Sequence, residues 1–158
     1  MSKIDPDDVA AHNTQGVRLY ELGKYEEALI SFDRAIELDP DSAVPHRNRG
    51  SCLDELGRHA EALTSFDRAI ELDPDDPVAH YARGMQLFEL GKYEEALVSC
   101  GRAIELDPDS AVFHLKRGTC LDELGRHAEA LAAFDRSLQL DPDDPDAKHT
   151  QHLSLIHI

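Results

Sequence analysis

The chain has 158 residues, an ordinary 41% of apolar residues and a formal charge of −16. The apolar content excludes a disordered acidic tail, no apolar run approaches the length of a membrane span, and the acidic excess disfavours DNA, RNA or an anionic membrane as partner. Three cysteines, with no Cys-x-x-Cys pair, argue against a disulfide framework or a zinc knuckle and suit a reducing cytoplasm.

Residues 1–8 read as a lead-in, with no apolar segment that would make a signal peptide. Ile4-Asp-Pro-Asp-Asp8 echoes Leu72-Asp-Pro-Asp-Asp76. The first helix is predicted from Val9 to Leu22, with Asp8 as N-cap and Gly23 as the left-handed stop. A second helix is predicted from Tyr25 to Leu38, carrying Ala28, Leu29, Phe32, Ala35, Ile36 and Leu38 as an apolar stripe at helical spacing. Asp39-Pro40 ends it, because the residue before proline is pushed out of the helical region. Asp41-Ser42 is expected to cap the next helix.

The whole unit then repeats. Ala35-Ile-Glu-Leu-Asp-Pro40 returns 34 residues on at Ala69 and again at Ala103, and in altered form as Ser137-Leu-Gln-Leu-Asp-Pro142. Four helix pairs are predicted, at 9–42, 43–76, 77–110 and 111–144. Alternate units match best: 9–76 and 77–144 are identical at 48 of 68 positions, which points to duplication of a two-repeat block. One pair cannot bury its own stripe and has to stack on a neighbour. Gly16, Gly50, Gly84 and Gly118, with Ala28, Ala62, Ala96 and Ala130, are the small residues that let paired helices approach.

These residues resemble the tetratricopeptide repeat family, over 9–144 and four times in phase. The resemblance implies an all-α fold, a right-handed α-solenoid of antiparallel helix pairs with a concave face lined by the first helices. It departs from the family in three places. His12, His46, His80 and His114 stand where a large apolar residue is usual; Gln15, Arg49, Arg83 and Arg117 stand where leucine is usual; and Cys100-Gly101 replaces the Phe-Asp of the other repeats. The last change predicts that the helix around Cys100 is the weakest, since losing a core phenylalanine and adding a helical glycine both destabilise.

Pro145 to His152 reads as the start of a capping helix or of a fifth repeat. Leu153-Ser-Leu-Ile-His-Ile158 is similar to the translation of a transposase mosaic-end sequencing adapter. On that reading the chain is a gene fragment whose continuation holds more repeats or a catalytic domain.

No catalytic constellation emerges. Ser31, Ser65 and Ser99 lie in second helices with no partnered base, and no glycine loop suited to phosphate is present. Asp54-Glu55 and Asp122-Glu123 read as solvated helix ends, Cys52 and Cys120 as small core residues, and His59 and His127 as packing replacements for Tyr25 and Tyr93. A histidine ladder with one member per repeat does not converge, whereas zinc needs several nitrogens at about 2.0–2.1 Å, so no metal or other cofactor is expected.

The resemblance implies a peptide groove built from Asn13, Val17, Tyr20, Arg47, Asn48, Ser51, Tyr81, Met85, Phe88, Leu115, Lys116 and Thr119, rimmed by Glu21, Glu55, Glu89 and Glu123. Family members that clamp a C-terminal carboxylate use lysine and asparagine here. Only Asn13, Asn48 and Lys116 survive, beside Val44, Val78 and Val112, so that clamp is not expected. The chain therefore reads as a non-enzymatic cytoplasmic interaction scaffold for a protein or peptide with apolar anchors and some basic residues. The alternative is the repeat arm of a larger enzyme such as a glycosyltransferase.

Overall fold

The computed structural model describes residues 5–158; Met1 to Ile4, including the first residue of the echoed Ile-Asp-Pro-Asp-Asp segment, lie outside the described residues. The described residues form nine helices and no strand: α1 Val9–Glu21, α2 Tyr25–Leu38, α3 Ala43–Glu55, α4 His59–Leu72, α5 Pro77–Glu89, α6 Tyr93–Leu106, α7 Ala111–Glu123, α8 His127–Leu140 and α9 Pro145–Ile156. The class is an all-α solenoid of helix pairs. The chain divides into two compact blocks, Met1–Asp75 and Asp76–Ile158. That boundary falls one residue before the start of the second copy of the duplicated sequence.

In the N-terminal block α1 pairs with α2 and α3 with α4, and α3 also packs on α2. Glycine makes each tight turn inside a pair: Gly23 and Gly57 have φ of 73° and 70°, a region that costs other L-residues strain. Phe32 and Phe66 are almost wholly buried. A Cβ built on Gly16 would stand 2.5 Å from the Phe32 ring, and one on Gly50 would stand 2.8 Å from Phe66. Only a bare α-carbon fits there, and that sets how closely the two helices lie.

The C-terminal block repeats the scheme with α5–α6 and α7–α8, and adds α9 against α8. Gly118 meets Phe134 as Gly16 meets Phe32. In the α5–α6 pair the phenyl ring is gone, and a Cβ on Gly84 would stand 3.0 Å from the Cys100 Sγ, 3.3 Å from the Ala96 carbonyl and 3.4 Å from the Ser99 Cβ. Cys100 is fully buried against the Cys120 thiol of α7. That thiol neighbour, and then burial, push the Cys100 thiol far up, so it stays protonated. The helix expected to start at Pro145 runs on to Ile156, into the segment similar to an adapter translation, with Ala147 and Ser154 fully buried.

The Asp-Pro stop does more than end a helix. Asp39 Oδ1 accepts from the Asp41 N–H at 3.2 Å, and Asp73, Asp107 and Asp141 make the same turn at 3.3 Å. The following histidine then reaches back. His46 Nε2 lies 2.9 Å from the Pro40 carbonyl and His114 Nε2 lies 2.8 Å from that of Pro108, with His12 and Pro6 similar at 3.2 Å. Facing a carbonyl, the ring nitrogen is the donor. These histidines thus clasp the incoming loop, which is why a half-polar ring replaces the family's apolar residue.

Capping differs in part from expectation. Asp8, Asp76 and Asp144 cap with their side chains, the last two directly before a proline at the first helical position. Ser42 holds the N-cap position but makes no side-chain cap bond, since the Asp39 turn already orders that loop.

Two measurements follow. Gly16→Ala forces the Phe32 ring to move, at about 1–3 kcal/mol of overpacking, against about 1 kcal/mol gained from alanine's helix propensity. Gly84→Ala meets a smaller neighbour and should lower the thermal midpoint less; equal losses in the two variants would remove the glycine–phenyl contact as the spacing constraint. Native-state hydrogen exchange should find amides of residues 96–104 in α6 less protected than those of residues 62–70 in α4, and equal protection would show that the Cys100-Gly101 change costs α6 nothing.

Candidate functional site

The exposed faces of the first helices are the only surfaces on which the sequence placed binding residues, and each block presents its own set. In the N-terminal block Val17 and Tyr20 of α1 and Asn48 and Ser51 of α3 line a cleft of about 130 Å³ floored by Phe32. Asn48 Nδ2 donates to Asn13 Oδ1 at 3.0 Å, which ties the two helices and fixes both amides. Ser51 turns its hydroxyl back on the Arg47 carbonyl at 3.3 Å. Arg47 lies on α3 outside the cleft lining.

Tyr20 is the most constrained of these residues. Its ring packs edge-on against Tyr25, with centroids 5.3 Å apart, and its hydroxyl donates to Glu55 Oε1 at 3.2 Å. Burial, then the Glu55 carboxylate, push the phenol up to about 12. Glu55 is exposed at its helix end, as expected, and it also accepts from the tyrosine that lines the cleft.

In the C-terminal block Tyr81, Met85 and Phe88 of α5 are half-buried, and so are Lys116 and Thr119 of α7. Tyr81 stacks on Phe113 at 5.1 Å, a neighbour the groove pattern does not include. Phe88 is braced by Tyr93 at 5.1 Å. Thr119 spends its hydroxyl on the Leu115 carbonyl at 3.0 Å. Leu115 itself is 7% exposed and joins Leu121, Ala130, Ala133, Phe134 and Ala147 in the core, so it offers little surface to a ligand. Val44, Val78 and Val112, by contrast, are 46%, 49% and 41% exposed.

The two-repeat period has a structural meaning at the helix ends. Where repeats one and three pair Tyr20 with Tyr25 and Phe88 with Tyr93, repeats two and four pair Asp54 with His59 at 3.4 Å and Asp122 with His127 at 2.7 Å. Aromatic packing is exchanged for an ionic or hydrogen-bonded contact between the same two positions. This corrects the reading of Asp122 as a solvated end: it also accepts from the buried Ser154 Oγ at 2.8 Å and anchors α9. Ser154, Asp122 and His127 do not form a nucleophilic triad, because serine and histidine both donate to the one carboxylate.

Among the described residues no three His, Cys, Asp or Glu side chains converge as metal ligands, and no helix is long and apolar enough to cross a membrane. His12, His46 and His114 each face a proline carbonyl.

Residues 3–43, 13–77 and 81–145 match the tetratricopeptide repeat family model. The fold is similar to the crystal structure of YrrB, described as a tetratricopeptide repeat protein with an unusual peptide-binding site, at 25% identity over 97% of this chain and 79% of that one, with a TM-score of 0.85. It is similar to MamA from Desulfovibrio magneticus RS-1 at 21% identity over 99% and 93% of the chains, with a TM-score of 0.84. It is also similar to the tetratricopeptide repeat domain of Arabidopsis OM64 at 26% identity over 73% and 96%, with a TM-score of 0.72. No curated protein matches the chain significantly in sequence.

The Tyr20–Glu55 contact is testable by titration. Its sign is destabilising at high pH: the fold favours the neutral phenol, so Tyr20 contributes its full stability below the ordinary 10.0 and loses it as pH rises towards about 12. Absorbance titration should find one of the four tyrosines ionising near 12, and Glu55→Gln should move that midpoint back towards 10. The absence of any tyrosine midpoint near 12 would show that the contact is not formed in solution.

Proposed function

The chain belongs to the tetratricopeptide repeat family, and from that premise we propose that it is a non-enzymatic cytoplasmic interaction scaffold whose first-helix faces receive a segment of a partner protein. The observation that carries this reading is the half-buried apolar row Tyr81, Met85 and Phe88 on α5, preceded by the exposed Val78. Half-exposed aromatic residues held rigid by neighbours are the side chains that dominate interface energetics, because their ordering cost is met before the ligand arrives. Tyr81 and Phe88 are braced in this way by Phe113 and Tyr93.

Charge sets the rest of the ligand. The residues at the far end of the first helices are Glu21, Glu55, Glu89 and Glu123, in a chain of net charge −16. A segment with apolar anchors and flanking Lys or Arg complements that rim, whereas nucleic acid and anionic lipid are repelled by it. The similarity to YrrB, a family member described by its peptide-binding site, supports a peptide as the ligand class.

The test is selection of displayed twelve-residue peptides on the wild-type chain, followed by fluorescence anisotropy on synthetic copies. Recovered peptides should carry aliphatic or aromatic anchors with Lys or Arg beside them. A Tyr81→Ala/Phe88→Ala variant that still melts cooperatively should bind them about tenfold more weakly or worse, the size of a hot-spot loss. Peptides that bind the variant unchanged would place the ligand elsewhere and sink the proposal.

A further inference from the structure

The arginine row at the seventh repeat position forms a ladder with one broken rung. Arg49 of α3 donates from Nε to Asp33 Oδ1 of α2 at 2.6 Å and from Nη1 to Ser65 Oγ of α4 at 2.8 Å. Arg83 of α5 donates to Ser99 Oγ of α6 at 2.6 Å. At the matching place in α9, Gln151 donates to Asp135 of α8. Arg117 of α7 has lost both kinds of partner: Gly101 stands where Arg49 finds Asp33, and Ala133 where it finds Ser65. Among the described residues none offers Arg117 a hydrogen bond or an ion pair, and its side chain is exposed where that of Arg49 is only 28% exposed.

The missing carboxylate leaves the guanidinium facing an open cleft. Arg117 lines a cleft of about 330 Å³ with Leu97, Val98, Gly101, Ile104 and Glu105 of α6. A Cβ built on Gly101 would meet nothing within 4 Å. Val98 is 72% exposed at the edge. The corresponding cleft of the N-terminal block, about 540 Å³, carries Glu37, His46, Thr64 and Arg68 beside Ile36, and there Asp33 and Ser65 already bind the arginine. Neither carboxylate near Arg117 bonds to it: Glu105 takes Arg102 at 2.9 Å, and Glu129 is held low first by Arg126, through two bonds of 2.8 and 2.7 Å, and only through space by Arg117. Two residues along a helix is about half a turn, so Arg117 points away from the Leu115 and Thr119 side of α7.

We propose that the cleft between α6 and α7 is a second docking site, separate from the first-helix face, in which Arg117 receives a glutamate or aspartate side chain of a partner segment while Leu97, Val98 and Ile104 take the aliphatic residue next to it. The occupant supplies the carboxylate that Asp33 supplies to Arg49. A guanidinium with no hydrogen-bonded partner beside an apolar wall selects this chemistry at short range, since a charge-assisted, two-pronged bond gives orientation as well as attraction. The ligand is thus opposite in charge to the one proposed for the first-helix face.

The experiment is a titration of the full chain, labelled with nitrogen-15, with the capped peptide Ac-Ser-Leu-Glu-Leu-Ser-NH2 and with its glutamine counterpart. Saturable shifts at the Arg117 Nε–Hε and at the Val98 and Gly101 amides are expected, with the glutamine peptide at least about fivefold weaker. Gly101→Asp returns the internal carboxylate and should weaken binding about tenfold or more while leaving the melting temperature unchanged or higher. Arg117→Met, which keeps the stem and removes the charge, should do the same. Tyr81→Ala/Phe88→Ala should leave this binding unchanged, so failure here and failure of the first-helix reading are told apart. Equal binding of the glutamine peptide, retention of binding in Gly101→Asp, or shifts confined to α5 would each overturn the proposal.

Discussion

The spacing inside each helix pair rests on a residue that has no side chain. Gly16, Gly50 and Gly118 lie against phenyl rings that leave no room for a methyl group, and the rings in turn are sealed from water. Close-packed interiors do not adjust continuously, so this contact fixes how deeply one helix sits on the other. Everything outward of it follows. With the inner faces closed by small residues and rings, the first helices show their remaining side to solvent, and α2, α6 and α8 show the side on which the next helix of their own block packs. The α5–α6 pair keeps the glycine but replaces the ring with Cys100, which makes it the pair where that constraint is weakest.

Within each block the joint between pairs is polar. An aspartate turns the chain through its own backbone, proline ends the helix, and a histidine from the next helix holds the proline carbonyl. The same three residue types therefore act as stop signal, turn and clasp. The polar groups of the most regular segment of the sequence are thus consumed in the joint. A similar economy holds at the Asp54–His59 and Asp122–His127 pairs, which do with a proton what the alternate repeats do with two aromatic rings.

Where the polar groups are not consumed, the surface becomes available for recognition. Tyr81, Met85 and Phe88 keep apolar area half-exposed on braced rings, and Arg117 keeps a charge that the equivalent arginine has spent on Asp33. Both cases arise from small departures in an otherwise repeated pattern. In a repeat protein a departure has a built-in control, because the unaltered copy shows what the residue would do if its partners were present.

Residue order alone carried the fold. The 34-residue period, the turn glycines and the Asp-Pro stops are local signals, and helix bounds such as Tyr25–Leu38 follow from them because caps and stops act on the residues beside them. Side-chain partners over longer distances were not legible in the same way. That Glu55 orients Tyr20, that Asp122 anchors α9 through Ser154, and that Leu115 turns into the core depend on which faces meet once the pairs have stacked. The histidine row was visible from the start, but its purpose was decided only when the loop of the preceding repeat brought a proline carbonyl within 3 Å of His46 and His114. Spacing along a chain fixes what a residue can reach locally; packing decides what is there when it arrives.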